Sequence, residues 1–190
     1  MEMNAKKYFT IGVVLFALGG LVFFITGRSY PVATVNGAFV SARDFSVYYS
    51  AAKMYFAKVQ DVATSTVSAS DFEGGLKQSS LEILINQELV KAGLTAMLGD
   101  ELSGYVDKKI KYLREDKNLG GAVRELYGLS ESDFEKLILL PAALDEILSE
   151  RFYLDEVAVD EWLNEQRLSA DVVVLLPGFV WKDGEVVVSN

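Results

Sequence analysis

The longest uninterrupted apolar run, YFTIGVVLFALGGLVFFIT, opens at Tyr8 and closes at Thr26, 19 residues without a charge or a proline. At about 1.5 Å of rise per residue a helix of that length reaches about 28 Å, the hydrocarbon thickness of a bilayer. Helix is the only single-segment conformation that satisfies its own backbone groups in lipid, so the pattern predicts a transmembrane helix. Lys6 and Lys7 precede the run and Arg28 follows it, a bias that puts the N-terminus in the cytoplasm and the remainder outside. The run is longer than the apolar part of a cleaved signal peptide, and no small-x-small cleavage site follows before Pro31. An uncleaved signal anchor is therefore expected.

Beyond Arg28 the pattern shortens. In VATVNGAFV, Asn36-Gly37 sits between two apolar runs and predicts a type I′ hairpin. Ser41, three residues before Asp44, marks a helix start. In that helix Phe45, Tyr48, Tyr49, Ala52, Tyr55, Phe56 and Val59 recur at three- and four-residue spacing as one aromatic stripe. Such stripes mostly face cores, which is one reading; the other is a surface for apolar peptide. ATSTVSAS then reads as a loop. Ser70 and Glu73 mark a second helix, whose settled part Gly74-Gly75 is expected to delay until Leu76. Leu81, Leu84, Ile85 and Leu89, with Ala92 as a further candidate, are expected to form its inner face. A third helix turns Leu102, Val106, Ile110 and Leu113 inward and Asp107, Lys108, Lys109 and Lys111 outward. Ser130 and Asp133 cap a fourth, within which Pro141 predicts a kink or a restart. VDEWLNEQ is a short helix anchored by Trp162 and Leu163.

The last 20 residues are β-rich, and Asp183-Gly184 is a two-residue turn that sets Lys182 opposite Glu185. An uncovered apolar strand is an aggregation hazard. Either this segment pairs with VATVNGAFV at the other end of the domain, or the sequence is a fragment of something longer.

Charge and composition narrow the chemistry. Eighteen Lys and Arg stand against 27 Asp and Glu, a net charge of −9, which argues against nucleic acid as a partner. The chain has no histidine and no cysteine. Ser-His and Cys-His catalysis, imidazole or thiolate metal sites and disulfides are thereby excluded. The spacing of a calcium loop, a Walker loop and GxGxxG are absent as well. No catalytic residue, metal or cofactor is predicted.

Four stretches, VATVNGAFVSARDF, LEILINQELVKAG, LYGLSESDFEKLI and VAVDEWLNEQ, occur in this order over residues 32–166. Together they resemble the N-terminal domain of the SurA-like foldases, which include the membrane-anchored PpiD and PrsA types. The resemblance implies a helical domain that binds unfolded or exported polypeptides outside the cytoplasmic membrane. In that family a parvulin domain, where present, isomerises X-Pro bonds. Here the resemblance ends after Ala170: SADVVVLL stands where the first parvulin strand would begin, without its histidine.

The expected fold class is accordingly mainly α: an N-terminal transmembrane helix, then a multi-helix SurA-like domain with a small β element joining its ends. Residues 1–28 form the cytoplasmic start and anchor, 29–168 the helical domain and 169–190 a β-hairpin segment. The expected function is that of a chaperone-like protein of the bacterial cytoplasmic membrane, single-pass with its C-terminal domain outside, without prolyl isomerase activity. Phe45, Tyr48, Tyr49, Tyr55 and Phe56 are its candidate client-binding residues. Unfolded polypeptide, the bilayer and a membrane-protein partner are the expected contacts. The alternatives are a scaffold subunit of a membrane complex and the N-terminal part of a longer parvulin-type isomerase.

Overall fold

A computed structural model describes residues 30–59, 69–115, 126–155 and 158–189. The chain enters as a hairpin of β1 (Pro31–Val35) and β2 (Ala38–Ser41). Asn36 and Gly37 both take positive φ, 49° and 84°, the geometry a type I′ turn needs and glycine adopts without strain. Helix α1 (Ala42–Val59) follows directly. Its first turn is closed by Ser41, whose hydroxyl accepts the Asp44 amide at 3.0 Å and donates to the Asp44 carboxylate at 2.8 Å.

Helix α2 (Ala69–Leu98) is the spine of the molecule. It runs through Gly74-Gly75 instead of settling at Leu76, because packing of its apolar face outweighs the roughly 1 kcal/mol that each helical glycine costs. Leu81, Ile85, Leu89 and Leu94 are almost fully buried along it. Helix α3 (Glu101–Glu115) returns antiparallel to a long helical arm built from α4 (Glu131–Phe134), a π-turn segment (Glu135–Leu139) and α5 (Leu140–Asp155). Lys109, expected to point outward, bridges instead to Glu146 and Glu150 of α5. Helix α6 (Val159–Ser169) leads into β3 (Val172–Val174) and the hairpin of β4 (Phe179–Lys182) and β5 (Glu185–Val188).

Pro141 stands in the first turn of α5, which starts at Leu140 directly after the π-turn segment, as the expected restart requires. Its ring would strike the carbonyl of Leu137 in an ordinary α-turn. Here the preceding turn widens, and the Leu140 amide donates to the Glu135 carbonyl five residues back. The wide turn gives three successive apolar residues separate places. Leu137 packs with Leu84 and Phe45, Leu139 with Phe134 and Leu129, and Ile138 beside the second group.

The sheet order is β2-β1-β3, all antiparallel, with Val35 opposite Val172 and Ala33 opposite Val174. The first strand and the first strand after the helices are thus neighbours, tied further by the Asn36 amide on the Asp171 carbonyl and the Asp171 amide on the Asn36 side chain. Only β3 joins that sheet. The β4–β5 hairpin, with Lys182 opposite Glu185, is a separate two-stranded unit laid on α2. Its Val186 is completely buried, and the Gln78 amide donates to the Val186 carbonyl at 2.6 Å.

The expected fold class needs one correction. The described molecule is mainly helical with two small sheets, and no helix among the described residues is long and apolar enough to cross a membrane. The 30-residue α2 has the length, but Lys77, Glu82, Glu88 and Lys91 interrupt it. The run from Tyr8 to Thr26, on which the span was predicted, lies outside the described residues.

Candidate functional site

The aromatic stripe of α1 does not act as one surface. Phe45 is 8% exposed and belongs to the core with Val32, Val35, Leu81 and Leu137. Tyr49 stacks on Phe45 with ring centroids 6.1 Å apart and lies under the ammonium groups of Lys53 and Lys77. Those two candidates therefore do not reach the site. A further expected stripe member, Val59, has its side chain outside the described residues. Tyr48, Tyr55 and Phe56, on the flank turned away from the sheet, are brought together.

They line an open cleft of about 340 Å³. Leu76, Ser79 and Ile83 of α2 form a second wall; Tyr127, Leu129 and Ile138 form a third. Among the described residues no acidic or basic side chain lines it. Tyr55 and Tyr127 stack nearly parallel, centroids 5.1 Å apart and planes at 6°. Phe56 meets Tyr55 edge-on at 5.8 Å and Phe72 edge-on at 5.6 Å. Tyr127, Tyr55, Phe56 and Phe72 thus form a chain of four rings, each pair in a geometry that adds to simple area burial. Ile83 remains 39% exposed at the mouth.

Two of the phenols, Tyr48 and Tyr127, are held neutral. Burial, and then the neighbouring Tyr127, raise the Tyr48 pKa above the ordinary tyrosine value. Burial and then Tyr55 do the same to Tyr127. Ser80, fully buried behind the wall, donates to the Leu76 carbonyl one turn back at 2.7 Å and asks nothing of a guest. The cleft offers apolar surface and neutral hydroxyls, a setting for binding uncharged groups and not for proton transfer or metal binding. Among the described residues no group of acidic side chains is placed to hold a metal ion.

Tyr127, Leu129, Ile138, Phe72 and Ile83 were not singled out from the sequence. The signal for the first two was Gly128, which adopts φ +65° and lets the chain turn tightly against α1. A Cβ there would lie 2.6 Å from the Met54 sulfur. Gly128→Ala should cost about 1–2 kcal/mol, the penalty of a left-handed residue with a side chain. The clash falls on the flexible end of Met54, so most of that cost should persist in a Met54→Ala background, measured by urea unfolding. Full relief there would show that crowding, not backbone conformation, requires the glycine.

Two ion-pair clamps hold the walls. Lys53 of α1 meets Glu73 of α2 at 2.7 Å at the surface. Where α1 and α4 begin, a tighter arrangement crosses between them. Ser130 caps α4 as Ser41 caps α1, accepting the Asp133 amide at 3.1 Å and donating to the Asp133 carboxylate at 2.7 Å. Each capping carboxylate also takes a cation from the other helix: Arg43 to Asp133 at 2.8 Å, Lys136 to Asp44 at 2.7 Å. This reciprocal clasp ties the start of α1 to α4 and to the π-turn segment that carries Lys136. No family model, curated protein or solved structure matches the chain.

Proposed function

We propose that this domain is a chaperone-like holder of unfolded or exported polypeptide, without prolyl isomerase activity, and that it takes apolar client side chains into the cleft. The observation that carries the reading is an aromatic-walled cleft of about 340 Å³, uncharged and left open among the described residues. Its size falls in the range of sites that take small groups, the room for one or two large side chains and not for a folded partner. Aromatic walls suit varied clients, since each ring offers a large area to any apolar group without demanding a hydrogen-bond pattern. The resemblance of residues 32–166 to the SurA-like N-terminal domain points the same way. Work outside the cytoplasm, at the membrane, is part of the proposal and rests on the sequence around residues 8–26 alone.

The test is aggregation of an unfolded client with and without the purified full chain. Protection is expected, and no acceleration of X-Pro isomerisation in a proline-containing peptide. Phe56→Ala and Tyr55→Ala, at half-buried ring positions, should weaken protection at least about threefold while Tm moves by only a few degrees. Tyr48→Ala, deeper in the wall, should lower Tm further. Loss of protection that merely follows Tm across the three variants would make the rings structural, and no protection by the parent chain would end the proposal.

A further inference from the structure

A second site lies on the opposite side of the π-turn segment, at the free edge of the sheet. β2 is an outer strand, and among the described residues nothing pairs with its far side. It is four residues long, AFVS, without proline or lysine, and its ladder with β1 has one register irregularity, at Pro31/Ala33. Phe39 is 67% exposed on it.

Beside that edge is a notch of about 90 Å³. Phe39 and Val40 both line it. Successive residues on a strand point to opposite faces, so a space touching both runs along the strand's edge and not over one face. No residue of β1 or β3 contributes to it, which places it on the free side. Its floor is apolar: Leu84 from α2, with Leu137, Leu140 and Leu144 from the π-turn and α5. Its rim carries Lys136 paired with Asp44 and Lys91 paired with Glu88, so the rim is neutral within a chain of net charge −9. The notch is small and its floor apolar, which suits an aliphatic side chain.

We infer that the free edge of β2 takes an extended, aliphatic-rich polypeptide segment as an added antiparallel or parallel strand, with one leucine or valine side chain seated in the notch. Main-chain hydrogen bonds would supply affinity independent of sequence, and the notch would set register. The neutral rim matches an occupant recognised by its uncharged backbone. This site is separate from the aromatic cleft and does not rest on it. A chain that binds extended segments at one place and bulky side chains at another can engage a client at two points, which raises the effective concentration of the second contact.

The experiment uses the ¹⁵N-labelled full chain and a capped seven-residue peptide, Lys-Thr-Leu-Thr-Leu-Thr-Lys. Saturable shifts of the 38–41 amides are expected. The same peptide with alternate backbone nitrogens methylated should bind at least about tenfold more weakly, because the added strand loses its donors. Leu140→Phe, which fills the notch from the side away from the strand, should weaken the parent peptide by a similar factor. Equal binding of the methylated peptide overturns the inference. So do shifts confined to Tyr55, Phe56 and Tyr127, which would assign the peptide to the cleft alone. Shifts of the 38–41 amides with protein concentration and no peptide would assign the edge to a second copy, and overturn it too.

Discussion

Replacing Gly93 with alanine should destabilise the fold in the parent chain and stabilise it, or leave it unchanged, once Trp162 is also alanine. Gly93 lies in the middle of α2, where alanine is normally better by about 1 kcal/mol. Here a Cβ would fall 2.4 Å from Cζ2 and 2.6 Å from Cη2 of the Trp162 ring. That ring is wedged between α2 and Phe152, which it meets edge-on at 5.3 Å. It cannot yield without lifting α6. Overpacking of this kind costs about 1–3 kcal/mol net. Trp162→Ala alone should cost about 3 kcal/mol or more. A urea-unfolding cycle over the four proteins should therefore show a coupling of at least about 1 kcal/mol. Additive effects would show that the ring does not hold α6 against Gly93.

Asp133→Ala should remove about 1–2 kcal/mol, from the lost charge-assisted bonds of its carboxylate to Arg43 and to the Ser130 hydroxyl, while the backbone amide stays capped by Ser130. The pH dependence carries the sign. The Asp133 carboxyl is held below its ordinary value, first by the hydrogen bond from Ser130 and then by Arg43. A carboxylate whose pKa is lower in the folded state stabilises above its unfolded pKa, and that stability is lost as pH falls through the folded value. The gap in urea midpoint between the parent and Asp133→Asn should be full near pH 7 and shrink below about pH 4. An unchanged gap at pH 2.5 would mean that the carboxylate charge contributes nothing to the clasp.

The candidate site was legible in the sequence only in part. Tyr48, Tyr55 and Phe56 were found because helical periodicity is a local property, and so was the stripe they share with Phe45 and Tyr49. Which side of that stripe α2 and the sheet would cover is not local. Phe45 was taken into the core by strands drawn from both ends of the described chain, whereas Tyr55 found its stacking partner 72 positions away in Tyr127. No spacing rule connects residues so far apart.

The same division holds for the fold. Sequence alone determined two turns and two caps, whereas Ser70, expected as a third cap, lies within α2. Asn36-Gly37 and Asp183-Gly184 adopt the left-handed φ that their residue types favour, and Ser41 and Ser130 each bond the amide three residues on. These are interactions within four residues, where chemistry and geometry are fixed by the order of side chains. Tertiary structure decided the rest. It carried α2 through two glycines, widened one turn ahead of Pro141, moved Lys109 from solvent to Glu146 and Glu150, and separated the last hairpin from the sheet. Contacts between distant elements, packing for the helices and hairpin and ion pairs for Lys109, outweighed the local preference.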